Sequence, residues 1–240
     1  MRKHLGSIAV GGLFIAAIFL GGAWLLEGRS GWRDFAQGIS EWRLPRCEAL
    51  SGQQGSRSIA WSGGEGVGVA IPATLRYEPG TSDQVRIAGD TALISHVIVD
   101  ENDFKLNCRS SELTPENLTI TMPGKQHLRS FSLAGVTNLI LDNIDQPELQ
   151  FNLAGSSQVV AKGRVDNVHV NAAGLSDAKL GDLAVDDAHL NLAGASTVEI
   201  AATGVLEVNA AGAVTVILRT EPESIRTHIM GSGRIIHQSQ

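Results

Sequence analysis

The chain has 240 residues, of which 43% are apolar, and a formal net charge of −6. This apolar content is enough for a hydrophobic core and excludes a disordered chain. The negative charge, without any cluster of Lys and Arg that could follow a phosphate backbone, argues against nucleic acid as a partner.

Residues 5–26 form an uncharged, largely apolar run after a short basic tail over residues 1–4. A run of this length predicts a transmembrane anchor. A cleaved signal peptide is the alternative, because Gly21 and Ala23 would occupy the small positions before a cut ahead of Trp24. The anchor predicts a single-pass protein of the inner membrane with a periplasmic or extracellular C-terminal domain, whereas cleavage predicts a secreted protein.

Residues 27–56 are predicted to be a juxtamembrane segment that ends in a linker. Trp32, Phe35, Ile39 and Trp42 are spaced as on one face of a short amphipathic helix. Such a helix would lie at the membrane interface or pack on the following domain. A short connector whose aromatic side chains cap that domain is the alternative. The Gly- and Ser-rich residues 48–56 are typical of a flexible link.

The chain contains two cysteines, Cys47 and Cys108. An even pair could form one disulfide in an oxidising compartment. Two unrelated buried thiols are the alternative.

Residues 57–125 contain short runs of alternating apolar residues separated by turn signals such as Pro79-Gly80 and Pro123-Gly124. The spacing of these runs is irregular. We interpret this part as irregular first coils, or as an N-terminal β cap that protects the strand edges of the next part. The predicted strands cover residues 67–71, 73–77, 84–88, 94–99, 103–107 and 117–122.

Residues 126–240 contain a glycine every 18 to 20 residues. A fixed period of this length predicts stacked structural repeats. Asparagine occupies four of the six positions that lie three residues before a glycine, and apolar residues alternate after it. The glycines are Gly135, Gly155, Gly174, Gly194, Gly212 and Gly231, and the asparagines are Asn152, Asn171, Asn191 and Asn209.

Units of about 19 residues, rich in Val, Ile, Leu and Thr, are too short for a strand, a helix and two loops. The sequence therefore predicts an all-β, single-stranded β-helix, or β-solenoid, with coils of about 19 residues behind the transmembrane and amphipathic helices. Neighbouring coils would stack about 4.8 Å apart. The asparagines would form a ladder of amide hydrogen bonds, and each glycine would mark a tight corner.

These features, in this order, resemble the putative autotransporter adhesin head GIN domain family of bacterial envelope proteins. The carrying stretches are ATLRYEPGTSDQVRIAGDTALISHVIV, FKLNCRSS, LTITMPGKQHLRSFSLAG, the NLAG and NAAG repeats and MGSGRI. The resemblance covers residues 58–240 and implies a secreted or membrane-anchored all-β solenoid over residues 57–240. It brings no catalytic residues.

Candidates for chemistry are sparse in the repeats. Asp177 and Asp182, with His169 and His189 on adjacent coils, could form a calcium or zinc site, but the acidic positions do not recur in register. A surface ladder of polar groups explains the histidines better. The sequence therefore predicts no catalytic, cofactor-binding or metal-binding residues, and no cofactor. Ser156, Ser157 and Ser196 follow the glycine corners and are interpreted as turn residues.

The sequence favours a membrane-anchored, non-catalytic binding or adhesion module, or a structural module, of the cell envelope. Rows of equivalent side chains suit an extended partner, either a polysaccharide or another envelope protein. A glycan-active lyase or hydrolase, which would need a cluster of acid and base groups in a groove, is the alternative from another class. A scaffold without a ligand of its own is a further alternative. The pattern indicates no particular oligomeric state.

Overall fold

The computed structural model describes residues 44–61, 63–109, 113–125 and 127–238. The chain divides into two compact units, Met1–Arg46 and Cys47–Gln240. All the elements below belong to the second unit.

This unit is built almost entirely of strands, because apolar residues alternate along nearly all of its sequence. Its helical content in the described residues is the four-residue helix α1 (Thr91–Ile94) and a 3-10 turn over Pro115–Asn117. The strands are β1 (Gln54–Ala60), β2 (Gly66–Val69), β3 (Ala73–Tyr77), β4 (Gln84–Asp90), β5 (Val97–Asp100), β6 (Asp103–Leu106), β7 (Leu118–Thr121), β8 (Ser130–Ala202), β9 (Val205–Gly212), β10 (Thr215–Leu218), β11 (Ser224–Gly231) and β12 (Arg234–His237).

The strands form one mixed, 12-stranded sheet with the order β1-β4-β7-β3-β8-β2-β6-β5 along its main path. The first part contains antiparallel pairs: β1 with β4, β4 with β7, and β5 with β6. Strands β2 and β3 each pair with β8 in parallel. At the far end β9 and β10 pair parallel with β8, while β11 pairs with β9 and β12 with β10.

The 73 residues of β8 cannot form one straight strand, since it would be about 240 Å long. Instead β8 bends and passes alongside itself, so that residues 18 to 20 apart in sequence contact each other. We call each repeat of about 19 residues that contains one glycine of the series a pass. Inward residues stack on one another in the core, as in the aromatic contacts from Tyr77 of β3 to Phe131 of the first pass and from Phe131 to Phe151 of the second, each with ring centroids 6.1 Å apart.

The recurring glycines lie directly on one another at a bend that every pass makes. Gly194 pairs with Gly212, and Gly212 pairs with Gly231. All six glycines have a positive φ, which side chains with a Cβ rarely adopt. A Cβ on Gly174 would also lie 2.5 Å from the carbonyl oxygen of Gly155. We call this bend the glycine corner.

The predicted fold class, a single-stranded β-helix behind a transmembrane helix and a short amphipathic helix, is wrong. The described residues form one curled mixed sheet that contains three antiparallel strand pairs. Alternating apolar residues predict which face of a strand is buried, but the direction of its neighbour depends on the connection between them. The short turn at residues 101–102 reverses the chain from β5 to β6, which a continuous winding would not do.

No helix in the described part of the chain is long and apolar enough to cross a membrane. The predicted span over residues 5–26 and the predicted amphipathic helix around Trp32 to Trp42 lie outside the described residues. Strand β1 begins at Gln54, inside the segment predicted as a linker.

A buried carboxylate holds the start of this strand. Asp90 is only 3% exposed and caps helix α1 by accepting a hydrogen bond from the backbone N–H of Ala92. It also accepts hydrogen bonds from the backbone N–H and hydroxyl of Ser51 and from the backbone N–H of Gly52, at 2.7–3.0 Å. Burial by itself would raise the pKa of Asp90, but the hydrogen bonds from Ser51, Ala92 and Gly52 outweigh it and lower the pKa below its usual value.

Two glycine substitutions separate backbone strain from collision at the glycine corner. Gly174→Ala adds a methyl group against the Gly155 carbonyl, whereas a Cβ at Gly135 meets nothing within 4 Å. Both changes strain a positive φ, which costs about 1–2 kcal/mol. We therefore expect Gly135→Ala to lower the free energy of unfolding by that amount and Gly174→Ala to lower it by at least about 3 kcal/mol in denaturant titrations. Equal losses in the two variants would contradict the close stacking.

The low pKa of Asp90 predicts a loss of stability in acid. Because the folded protein favours the carboxylate, the stabilisation is present above the usual pKa of Asp, about 3.9, and is lost as the pH falls through the lower folded pKa. We expect Asp90→Asn to lower the melting temperature at pH 7 and to reduce the further fall on acidification below about pH 4. Asp145→Asn, at an exposed position, is the control and should follow the wild-type profile.

Candidate functional site

The four predicted asparagines lie in one row across successive passes. The Asn171 side-chain amide donates to the side-chain oxygen of Asn152 at 3.0 Å, and Asn191 donates to Asn171 at 3.0 Å. Asn209 continues the row by donating to Asn191 at 3.2 Å. Each amide donates to the preceding pass, and the Asn209 amide also donates to the Glu207 carboxylate at 3.2 Å. The row is a regular strip of polar groups before the glycine corner.

A shallow groove of about 480 Å³ runs along the other side of the glycine corner. Its rim consists of the residues directly after the glycines, including Val136, which is 48% exposed, and Leu175, which is 64% exposed. The polar residues three after the glycines are half-buried in its floor. The residues that line the groove are Val136, Asn138, Ser156, Ser157, Gln158, Leu175, Ser176, Asp177, Ala195 and Thr197.

The floor of the groove has one polar side chain from each of four passes: Asn138, Gln158, Asp177 and Thr197. The Gln158 amide donates to the Asp177 carboxylate at 3.4 Å, and the Lys179 ammonium lies 3.7 Å from that carboxylate. Asp177 is the one acidic residue among those that line the groove. The floor therefore offers amides, a hydroxyl and a single carboxylate in a row along the stacking direction.

Beneath the rim, three serine hydroxyls are buried and have no hydrogen-bond partner among the described residues. They are Ser157, Ser176 and Ser196, each two residues after a glycine. Thr137 is the equivalent residue of the first pass, and its hydroxyl donates to the backbone carbonyls of Ile71 and Ala134. Because buried hydroxyls are nearly always hydrogen-bonded, these three are exceptional. Ser157 and Ser176 belong to the groove lining.

The sequence analysis interpreted Ser156, Ser157 and Ser196 together as turn residues. The structure separates them, since Ser156 is exposed on the rim and the other two are buried. The groove itself was missed. The small hydroxyl residues two positions after successive glycines, from Thr137 onward, were the available signal.

The side chains predicted as candidates for acid, base or metal chemistry contact different partners and do not converge on one site. The His169 and His189 rings stack with centroids 4.9 Å apart, and the His189 ring lies 3.4 Å from the Glu207 carboxylate. Asp182 instead lies 3.9 Å from the Lys162 ammonium. Parallel stacked imidazoles point their ring nitrogens alongside each other, which does not suit one shared metal ion. In the described ranges, no group of three His, Cys, Asp or Glu side chains could hold a metal.

Cys47 and Cys108 form a disulfide. The bond links the start of this unit to the residues that follow β6. The loop that it closes contains strands β1 to β6. The Cys47 backbone N–H also donates to the Arg109 carbonyl at 2.9 Å. The first residues of the unit are thereby fixed beside β6.

The sequence and the fold are similar to those of known proteins. A family model described as "Putative auto-transporter adhesin, head GIN domain" matches residues 65–222. The fold is similar to a putative adhesin from Bacteroides fragilis NCTC 9343, with 14% identity and a TM-score of 0.59 over 79% of this chain and 99% of that chain. Comparison with curated proteins finds no match.

Two further solved structures are more distant. A putative lipid binding protein from Parabacteroides distasonis ATCC 8503 has 18% identity and a TM-score of 0.44, covering 79% of this chain and 98% of that chain. A putative adhesin from Parabacteroides merdae ATCC 43184 has 13% identity and a TM-score of 0.45, and the match covers 79% of this chain and 98% of that chain.

The asparagine row generates a test of its contribution to stability. Asn171→Leu removes the bonds to both Asn152 and Asn191. Because water can reach these half-exposed groups, we expect the free energy of unfolding to fall by about 1–2 kcal/mol, measured by denaturant titration. Asn167→Leu, on the outward face of the same pass, is the control and should change stability by less than about 0.5 kcal/mol. An unchanged stability in Asn171→Leu would show that the row contributes nothing.

Proposed function

The chain belongs to the family described as putative auto-transporter adhesin, head GIN domain, and from this premise we propose that it is a non-catalytic binding domain. In this proposal the domain acts in the bacterial cell envelope, outside the cytoplasm, and binds a neutral, hydroxyl-rich polysaccharide along the groove beside the glycine corner.

The observation that carries this proposal is the repetition of polar groups along the groove floor. Neighbouring strands lie about 4.8 Å apart, so Asn138, Gln158, Asp177 and Thr197 present one hydrogen-bonding group at each such step. A linear polymer that lies along the stacking direction meets an equivalent group at every pass. A compact ligand would use only one or two of them. Repetition therefore favours a polymer as the ligand.

The chemistry of the groove favours sugar hydroxyls as the groups bound. Amide and hydroxyl groups both donate and accept hydrogen bonds, as sugar hydroxyls do, and a carboxylate accepts hydrogen bonds from them. The exposed Leu175 and Val136 on the rim suit the apolar C–H faces of sugar rings. The Asp177 carboxylate lies 3.7 Å from the Lys179 ammonium, so the groove floor offers a charged polymer no uncompensated charge, which favours a neutral one.

The dispersion of the titratable groups supports a non-catalytic role. A glycan-cleaving enzyme needs two carboxyl groups on either side of one glycosidic bond. Asp177 is the one carboxylate that lines the groove, and Asp182 is paired with Lys162 instead. Binding by many weak, repeated contacts also fits an adhesive function, since affinity then grows with the length of polymer engaged.

The disulfide supports a location outside the cytoplasm. Disulfides persist in oxidising compartments and are rare in the cytosol, where thiols are kept reduced. The Cys47–Cys108 bond is therefore consistent with a domain exported to the envelope.

The proposal is tested by binding of the full-length chain, in mild detergent, to an array of purified bacterial and host polysaccharides. We expect a neutral polysaccharide to bind, with affinity that increases with chain length. Leu175→Arg places a long side chain across the groove, and Asp177→Ala removes a floor acceptor. Each should weaken binding at least about tenfold, which corresponds to about 1.4 kcal/mol.

Ile98→Arg is the matched control, because Ile98 is also an exposed apolar residue, at 44%, but lies on β5 away from the groove residues. It should bind like the wild type. Binding that survives both groove substitutions, or the absence of any bound polysaccharide, would refute this function.

A further inference from the structure

The last pass of the chain, formed by β11 and β12, leaves residues of the core series exposed. In each pass, the residue four positions before the glycine belongs to the inward series. This residue is fully buried in the first five passes, but in the sixth pass it is Thr227, which is exposed. Ile225 stacks on the fully buried Leu206 and yet is 39% exposed. The five buried residues are Phe131, Phe151, Val170, Leu190 and Val208.

The backbone of β11 is also unpaired along its outer edge, since β9 is its one partner among the described strands. The Ser224 N–H donates to the Gly204 carbonyl, and the Ser232 N–H donates to the Gly212 carbonyl. Alternate residues of a parallel strand bond to opposite sides. The even-numbered residues therefore bond to β9, whereas Ile225, Thr227 and Ile229 direct their N–H and C=O groups to the free edge.

This edge lacks the common protections against pairing. Free edge strands in natural proteins are usually short, or carry Lys, Pro or a bulge. Strand β11 has eight residues, Ser224–Gly231, with neither Lys nor Pro among them, and its charged Arg226 belongs to the outward series, opposite Glu207 of β9. Such an edge is a template for one more strand.

We propose that the added strand is β11 of a second copy of this chain, running antiparallel about a two-fold axis through Thr227. In this register Thr227 lies opposite itself, and Ile225 lies opposite Ile229 of the second copy. Each pair joins residues whose backbone groups face the free edge, so the hydrogen bonds form without any shift of β11. Each pair also joins side chains of the same face, so the exposed isoleucines continue the core across the interface.

A second copy fits better than the first residues of this same unit. The disulfide from Cys47 fixes the first residues of this unit beside Cys108, directly after β6. Strands β6 and β11 lie at opposite ends of the stacked strands. A two-fold pairing uses the β11 edge of both copies at once, so that this contact closes as a dimer rather than a filament.

The register is tested by disulfide trapping in the full-length chain. Residues directly opposite in a hydrogen-bonded antiparallel pair have Cα atoms about 5.5 Å apart, within the range of about 4.4–6.8 Å for disulfides. Thr227→Cys should therefore yield a covalent dimer under mild oxidation, seen on a non-reducing gel. Ile225→Cys is the control, since its copies would lie about 13 Å apart along the strands and should not be linked. Equal linking of both variants, or of neither, would overturn the proposal.

A second measurement keeps the test independent of engineered cysteines. Sedimentation equilibrium should show the wild-type chain passing from monomer to dimer as concentration rises. Thr227→Pro removes an N–H that faces the free edge while keeping every bond to β9, and Ile225→Lys adds a charge there. We expect each to raise the dimer dissociation constant at least tenfold, and Ile98→Lys at the opposite end to leave it unchanged. A wild-type chain that stays monomeric at its highest soluble concentration, or a dimer insensitive to both variants, would contradict this interface.

Discussion

The backbone of each pass contacts the backbone of the pass before it at the glycine corner. A methyl group on Gly155, Gly174, Gly194 or Gly231 would lie 2.5–2.8 Å from the carbonyl oxygen of the preceding glycine. This close approach sets the register between passes, because a shift by one residue would place a side chain in that gap and reverse every inward and outward position. The buried column, the asparagine row and the groove floor all depend on that register.

Repetition also explains why this domain presents rows of groups rather than a converging cluster. Equivalent residues of successive passes lie side by side, so Asn171 meets Asn152 and Asn191, and Gln158 meets Asp177. Such rows match ligands that are themselves repetitive. The stacking direction ends at β11, where the backbone groups on one side of the strand have no partner among the described strands. The groove and the free edge are thus two results of one arrangement.

Sequence reasoning was most successful where a side-chain pattern has a local cause. The family resemblance is confirmed by the match over residues 65–222, and the alternation of apolar residues indicated a protein made of strands. The fold class was wrong because the same alternation occurs in parallel and antiparallel strands. The turn at residues 101–102 shows the difference, since it reverses β5 onto β6 within the part interpreted as coils or a cap. The groove was missed because Ser157, a small polar residue after a glycine, looked like a turn residue, and only its burial distinguishes it.

The sequence by itself determined the spacing of the glycines, the face on which each apolar residue lies and the row in which the asparagines fall. These follow from the two-residue alternation of a strand and from the need for glycine at a positive φ. The tertiary structure alone decided the direction of the first strands, the concave surface after the glycine corner and the exposure of Thr227 at the last pass. Each of these depends on which distant segments pack together, and no single stretch of sequence carries that information.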